Sequence, residues 1–509
     1  MAAELAASER LNYLSKKQRA VSSRHSRQII NANNGSEFSP GGVTNIQIPG
    51  GQAASYMDFQ NSYLKFSVKN TTATAAHSIK AASGYDLIQR LEILADGQTI
   101  SNINNYGVVV DQYMSTEVGP DWKNHLGNAM VGISSNPFGS AASATGLEVT
   151  LDADDYGVTA DSFNAAAVVC DTTGSNAAQP VSMSGANIAI ALDATTVSVG
   201  GTITSAEGPG AKVFAGAATG AQYTYCLPLV LCPLFSVNKY IPLVGRSNLQ
   251  IRITWADRDR AYLCAQAATP TANEIKYTPV SFITSVVRLS ADANAMVMAN
   301  TGGRFELICS DIRSAQSTHD VSTSSLAVNC GFSFSSLDRV SFAFYPTLDN
   351  RAAFGIRNRS RGGLKQYALA INGEEHPRKR IEVGATNIAE ALAETSIAHR
   401  SLSDFNHQST IVPSQYAKNG LVANCDGTTS AKMGDFVAYL DTESMQPHSG
   451  DTLYSGISTL GSVVQFVAET EPVTGETGSH GLQPFLIFAQ FTMALTLDMQ
   501  GTQTWVVSI

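Results

Sequence analysis

Arg357, Arg359 and Arg361 place three guanidinium groups within five positions, flanked by Arg351 and Lys365 and followed by Gly362-Gly363. Guanidinium groups bind phosphate or carboxylate in a two-pronged grip, so the cluster suits a phosphate-bearing ligand or the acids of a neighbouring subunit. A run of this kind between two strands is equally compatible with a solvated loop. No aromatic residue is interleaved with the arginines, which weakens a case for single-stranded nucleic acid. The other candidates carry less. Gly208-Pro209-Gly210-Ala211-Lys212 is glycine-rich, but Val213 stands where a phosphate loop needs a hydroxyl. Asp152, Asp154 and Asp155 lack the glycine and closing glutamate of an EF-hand calcium loop. None of the nine histidines lies three or four residues from another, so no helix face presents a metal pair. The nucleophile elbow Gly-x-Ser-x-Gly and the His-Glu-x-x-His zinc signature are both missing. The sequence predicts no enzyme, no cofactor and no metal.

Composition points the same way. Charged residues make up 15% of the chain against 44% hydrophobic, so there is ample material for a core and little charge to solvate a surface. Charge depletion is the mark of surfaces hidden against other subunits, which predicts a large oligomer. The net charge of −9 argues against bulk nucleic-acid binding. Seven cysteines without a Cys-x-x-Cys pair support neither a disulfide framework nor a zinc site, and no apolar run follows Met1 to suggest a secretory signal. The most apolar stretch, Phe485 to Leu497, is broken by Gln490, Thr492 and Thr496, and falls short of the roughly 18 residues a membrane span needs.

Charge is unevenly spread along the chain. Up to Gln28 the basic residues Arg10, Lys16, Lys17, Arg19, Arg24 and Arg27 face only Glu4 and Glu9. Leu11, Leu14 and the alanines support a short helix there, and Ser22, Ser23 and Ser26 argue for a mobile arm beyond it. Between Lys123 and Lys212 there is no Lys or Arg at all, among eight acids and many small residues. That stretch reads as a long insertion protruding from a folded body.

Within the body the period is two. Leu64, Phe66 and Val68 alternate with Lys65, Ser67 and Lys69, as Leu249, Ile251 and Ile253 do with Gln250, Arg252 and Thr254. The dipeptides Asp96-Gly97 and Asn372-Gly373 are hairpin turns, each followed by a strand and then by one of the chain's two best helices, Tyr106 to Val118 and Asn387 to Ala398. Asn387 with Glu390 predicts a capping box at the second. The matching order implies a duplication of pattern at an offset of 276 residues. Many short strands with few helices mean sandwiches.

The stretch Leu87 to Gln98 followed by a helix, Leu227-Pro228-Leu229 through Lys239-Tyr240-Ile241-Pro242-Leu243, and Leu249-Gln250-Ile251-Arg252-Ile253 together resemble the double jelly-roll major capsid proteins. That lineage includes adenovirus hexon and the capsid proteins of tectiviruses, virophages, polinton-like viruses and large DNA viruses; the virophage and polinton-like branch fits best on length. The Ala370-Ile371-Asn372-Gly373 hairpin and the Val463 to Val467 strand fit a second roll. The resemblance implies an all-β fold of two tandem eight-stranded jelly rolls with long loop insertions and a few short helices. Its expected divisions are a basic arm at 1–42, a first roll at 43–295 with a protruding insertion at about 118–223, and a second roll at 296–509. It implies a structural protein of the virion: a homotrimer forming pseudo-hexagonal capsomers, in contact with neighbouring capsomers, a penton or minor capsid protein, and genome DNA or an internal membrane. Arg10, Lys16, Lys17, Arg19, Arg24 and Arg27 would then face the lumen, and Arg357, Arg359 and Arg361 would contact another subunit or phosphate. The alternative is a carbohydrate-binding or carbohydrate-active tandem sandwich, which would need acids and aromatics converging in a concave site.

Overall fold

A computed structural model describes residues 23–71, 78–79, 83–133, 214–215, 222–263, 274–411, 416, 435–443, 455–471, 482–499 and 505–508, apart from residues 238, 245–247, 321, 347, 349–355, 357–358, 385–386 and 405–408. Its principal strands fall into two sets of eight. The first set is β1 (Ser23–Asn31), β2 (Val43–Ile48), β3 (Ser55–Asn70), β4 (Ile88–Ala95), β5 (Gln98–Asn104), β6 (Gln222–Leu227), β7 (Leu249–Trp255) and β8 (Ser281–Leu289). The second is β9 (Arg304–Asp320), β10 (Ser325–Asn329), β11 (Leu337–Phe344), β12 (Leu364–Ile371), β13 (Glu374–Glu382), β14 (Ala438–Asp441), β15 (Val464–Thr470) and β16 (Leu482–Asp498). Three helices of ten residues or more accompany them: α1 (Tyr106–Glu117), α2 (Ala291–Thr301) and α3 (Ala389–Ala398).

In the first set the hydrogen-bonded orders are β1-β8-β3-β6 and β2-β7-β4-β5, all antiparallel. In the second they are β9-β16-β11-β14 and β10-β15-β12-β13. Adding eight to every label of the first set gives the second. Each set is therefore a jelly roll of two facing sheets with four principal strands apiece, and the chain holds the motif twice. The duplication expected from the two hairpins extends to the whole topology. Both turns have left-handed backbone at both central residues, Asp96 and Gly97 at φ 48° and 84°, Asn372 and Gly373 at φ 53° and 85°. That is the type I′ geometry for which Asn-Gly and Asp-Gly are selected.

Alternation fills each sandwich. Leu64, Phe66 and Val68 are fully buried while Lys65 and Lys69 are exposed. In the first roll Trp255 stacks on Tyr277 at 4.2 Å, with Phe66 edge-on to both. In the second, Phe342 contacts Tyr367, Phe466 and Phe485. The buried side chains of both rolls form one continuous cluster, so the rolls are welded and not merely tethered.

Two local expectations are corrected. Ser23–Asn31 is not part of a mobile arm: it pairs residue for residue with β8, from Ser23 opposite Leu289 to Asn31 opposite Ser281. It is the outermost strand of its sheet, so the first roll begins ahead of Val43, and Arg24 and Arg27 sit on a strand. The capping box at Asn387 does not form. Ile388 occupies the cap position without a side-chain bond, and Glu390 instead accepts a hydrogen bond from the backbone N–H of Glu382 at 3.1 Å.

The strand registers also fix where the ends of the first roll lie. Ser23 sits beside Leu289 and Arg288 beside Ser55, whereas Gln222, where the chain re-enters after the insertion, sits beside Lys69. Ser55 and Lys69 are at opposite ends of β3, about 45 Å apart at roughly 3.3 Å per residue.

Candidate functional site

The most unusual element for its sequence is α1, Tyr-Gly-Val-Val-Val-Asp-Gln-Tyr-Met-Ser-Thr-Glu, in which ten of twelve residues are buried on all sides. A surface helix would bury one stripe. Gly107 permits its seating: a Cβ there would lie 2.5 Å from the Tyr85 carbonyl oxygen, a contact no substituent can make. One side of α1 packs on the first roll; the other covers the outer face of the β9-β16-β11 sheet, where Val109 and Tyr113 meet Ile312, Arg339, Ser341, Phe488 and Gln490.

A helix buried all round must satisfy its polar side chains across the seam, and α1 does so at successive turns. Asp111 Oδ2 accepts a hydrogen bond from Arg359 Nη1 at 2.8 Å, and Arg359 Nη2 donates to Ser115 Oγ at 3.0 Å and to Asp435. Gln112 Oε1 accepts from Ser341 Oγ, and its Nε2 donates to the Tyr345 hydroxyl, both at 2.8 Å. Glu117 meets Arg339 at 3.8 Å and also contacts His399. Arg339 donates in turn to the Gln490 side chain at 2.7 Å and to the Ala398 carbonyl at 3.0 Å. Beyond the helix, the Ser115 carbonyl accepts from the Thr410 N–H at 3.0 Å and the Ser409 hydroxyl at 2.9 Å.

Arg359 is fully buried. Burial works against its charge, but the Asp435 and Asp111 carboxylates outweigh it and hold its pKa above the ordinary guanidinium value. The sequence reading of Arg359 as an inter-subunit or phosphate contact is therefore corrected: the acids it grips belong to its own chain. The same holds for Arg361, which is 1% exposed and donates to Glu471 at 2.9 Å and to the Leu364 carbonyl. Arg357 lies outside the described residues, as do Arg10, Lys16, Lys17 and Arg19.

A second part of the seam closes the edge of the second roll. β5 brings Ser101 to the edge strand β9, where its hydroxyl donates to Asp311 Oδ1 at 2.6 Å. Asp311 is fully buried, its Oδ2 has no hydrogen-bond partner among the described residues, and burial pushes its carboxyl up to about 6. The buried thiols of Cys232 and Cys309, one from each roll, line the same region, and burial pushes both up, Cys309 to about 12. They are not activated nucleophiles. Among the described residues no group of three His, Cys, Asp or Glu side chains is arranged to hold a metal ion.

The arrangement is one of positioning. In this two-acid, one-arginine cluster Arg359 and Asp111 are fully buried and Asp435 is 16% exposed, so the charges are satisfied only in one relative placement of the rolls and the network fixes their orientation. Sequence reading missed it because Asp111, Arg359 and Asp435 come together only through the fold. The available signal was local: Asp111 and Gln112 directly after Val108-Val109-Val110 leave a helix no purely polar face.

No family model and no curated protein matches the chain. Solved structures do. A chain of the PBCV-1 virus capsid aligns over 98% of this chain and 99% of its own at TM-score 0.55 and 10% identity. The Faustovirus major capsid protein aligns over 95% and 92% at TM-score 0.54 and 10% identity. This chain has the fold of viral capsid proteins. A chain of the Sputnik virophage agrees, over 100% and 93% at TM-score 0.51 and 11% identity. At these identities the likeness shows the double jelly roll itself, in all its length, and both expected rolls are present.

Proposed function

We propose that this protein is a non-enzymatic major capsid protein: a homotrimer that forms a pseudo-hexagonal capsomer and tiles the shell of an icosahedral DNA virus. What carries the reading is the doubling. Two rolls of identical strand order, held in one orientation by a buried network, give six similar rolls when three copies close around an axis, and such a ring tiles a surface. The polarity of the first roll supports it further. The basic stretch before Ser23 leaves one end of β3, and the chain returns from the acidic insertion at the other. Phosphate and anionic headgroups favour the basic end inside, facing genome DNA or an internal membrane. The insertion then faces outward, where uncompensated acidity resists non-specific association. Neighbouring capsomers and a penton or minor capsid protein complete the set of partners, and the site of assembly is the host cytoplasm or nucleus.

The test is mass and shape. Light scattering on the purified full chain should give three times 53.8 kDa, about 161 kDa, and negative-stain images should show hexagonal outlines. A monomer at tens of micromolar, or a glycan-binding monomer, overturns the reading. Trypsin tests the polarity: Lys16, Lys17 or Arg19 should be cut quickly in free trimers and protected in intact particles. Equal cutting in both reverses the assignment of inside and outside.

A further inference from the structure

Glu117 and Arg339 face each other across the seam at 3.8 Å, and His399 Nδ1 reaches both. Glu117 is the last residue of α1, Arg339 lies on β11, and His399 caps the C-terminus of α3. The imidazole is 2% exposed and stands edge-on to the Tyr439 ring at 4.2 Å, with the Arg339 guanidinium 5.7 Å over the same ring. Its place is therefore fixed, and one nitrogen serves two neighbours of opposite demand. Arg339 Nη1, 2.8 Å from Nδ1, can only donate; the Glu117 carboxylate, also in contact with Nδ1, can only accept. Without a proton, Nδ1 satisfies Arg339 and sets its lone pair against the carboxylate. With a proton it satisfies Glu117 in a charge-assisted bond, and Arg339 keeps the Gln490 side chain and the Ala398 carbonyl. His399 also lines a polar cavity of about 440 Å³ with Asp338, Arg400, Asp441 and Glu443, which gives the proton a path. Arg400 forks onto Glu443 at 2.6 and 2.7 Å. Around the ring Glu117, Asp338, Asp441 and Glu443 outnumber Arg339 and Arg400, so the surroundings favour a positive imidazole. Tyr113 on α1, Tyr439 on β14 and Cys309 on β9 stay neutral, because burial pushes all three up.

We propose that Glu117, His399 and Arg339 form a proton-operated latch on the seam. With the imidazole neutral, Nδ1 accepts from Arg339 and both groups stay engaged within the second roll. With it protonated, Nδ1 donates to Glu117 and ties the last turn of α1 to the end of α3, tightening the first roll on the second. The tie is present in acid and is lost as pH rises through the imidazole range, roughly 6 to 7.

The experiment follows backbone hydrogen exchange of the full-length protein by mass spectrometry, as protection factors, which remove the intrinsic pH dependence of exchange. The reporters are the Val118 N–H, bonded to the Met114 carbonyl at the end of α1, and the Thr410 N–H, bonded to the Ser115 carbonyl. Wild-type protection there should be about tenfold higher at about pH 5.5 than at about pH 8, the scale of one hydrogen bond to a charged group. His399→Gln keeps an acceptor for Arg339 but cannot take a proton, and Glu117→Gln removes the carboxylate; each should show a flat profile. Asp311 and Asp338 change charge in the same range, but they are present in all three proteins and drop out of the comparison. Far-UV circular dichroism checks folding, and either variant serves if the other does not fold. Flat protection in wild type overturns the latch and means that a neutral Nδ1–H bonds Glu117 at every pH. A tenfold response that survives in a folded variant overturns it too. The seam lies within one chain, so a monomeric wild type overturns the capsomer reading and leaves this inference standing.

Discussion

β5 and β13 hold the same place in the two rolls, next to the type I′ turn and at the edge of a sheet, yet their sequences have nothing in common. β5 reads Gln-Thr-Ile-Ser-Asn-Ile-Asn, without a charge, and buries Ile100, Ser101 and Ile103 against its own core and the second roll. β13 reads Glu-Glu-His-Pro-Arg-Lys-Arg-Ile-Glu, and only Ile381 is buried. Along β13, Arg380 forks onto Glu375 at 2.6 Å, and the exposed Arg378 and Lys379 lie 3.5 Å from Glu374 and Glu382. Pro377 removes a backbone donor from that strand. Charges and proline are how an open edge avoids pairing with a stray strand. The helices that follow differ in the same sense, ten buried residues in α1 against three in α3. One motif thus has two surfaces: the neutral version is committed to its partner roll during folding, and the charged version stays soluble until a partner arrives.

The committed version should be the more fragile. Arg359→Ala removes the guanidinium held between Asp111 and Asp435 at the seam, and breaking a buried ion pair costs about 3–5 kcal/mol. Denaturant titration should show that loss, with the two rolls unfolding in separate steps once the seam no longer couples them. A loss below about 1 kcal/mol would mean the cluster is hydrated and does not orient the rolls.

Asp311 gives the seam a pH dependence of unusual sign. Burial raises its carboxyl from 3.8 to about 6, so the folded protein holds this proton more tightly than the unfolded chain. Its stabilising contribution is complete below about pH 4 and is lost as pH rises through about 6. Asp338, also raised to about 6 by burial, adds in the same direction. Asp311→Asn mimics the protonated form. It should therefore be more stable than wild type at pH 7.5 by about 1–3 kcal/mol, with the gap narrowing as pH falls to 5. A gap that is constant with pH, or that widens in acid, would show that Asp311 is solvated.

What was legible in the sequence follows from how local its cause is. A type I′ turn needs two residues that tolerate positive φ, so Asp96-Gly97 and Asn372-Gly373 announced both hairpins and, through their spacing, the doubling. Strands with one buried face, such as Leu64-Phe66-Val68, follow from alternation alone. β1 escaped because Ser-Arg-His-Ser-Arg-Gln-Ile-Ile-Asn is an edge strand whose outer face is polar apart from Ile29 and whose first half contributes nothing to the core. Its pairing energy lies in the backbone, where composition carries no signal. Arg359 and Arg361 read as a contact to phosphate or another subunit, or as a solvated loop, for a related reason. Their partners, Asp111, Asp435 and Glu471, lie far away in sequence, and nothing near the arginines marks them as buried. The capping box failed by competition: the Glu390 carboxylate is taken by the backbone N–H of Glu382.

The smallest expected effect is on the charged edge, and it bears most directly on the comparison. Lys379 is 80% exposed and its ion pair with Glu382 is a surface pair, so Lys379→Ser should change stability by no more than about 0.5 kcal/mol. The reciprocal change on the committed edge, Ser101→Lys, puts an ammonium beside Asp311 where there is space for a hydroxyl, and should cost several times more by denaturant titration. The informative quantity for Lys379→Ser is solubility. With one charge gone, β13 comes closer to the neutral β5 pattern while still lacking a partner roll, so the variant should aggregate at lower concentration than wild type during refolding at low salt, at nearly unchanged stability. Equal solubility would indicate that Pro377 and the remaining charges already suffice to keep the edge open. A stability loss comparable to that of Ser101→Lys would instead mean that β13 is part of a seam within the chain, and the contrast between the two edges would fall.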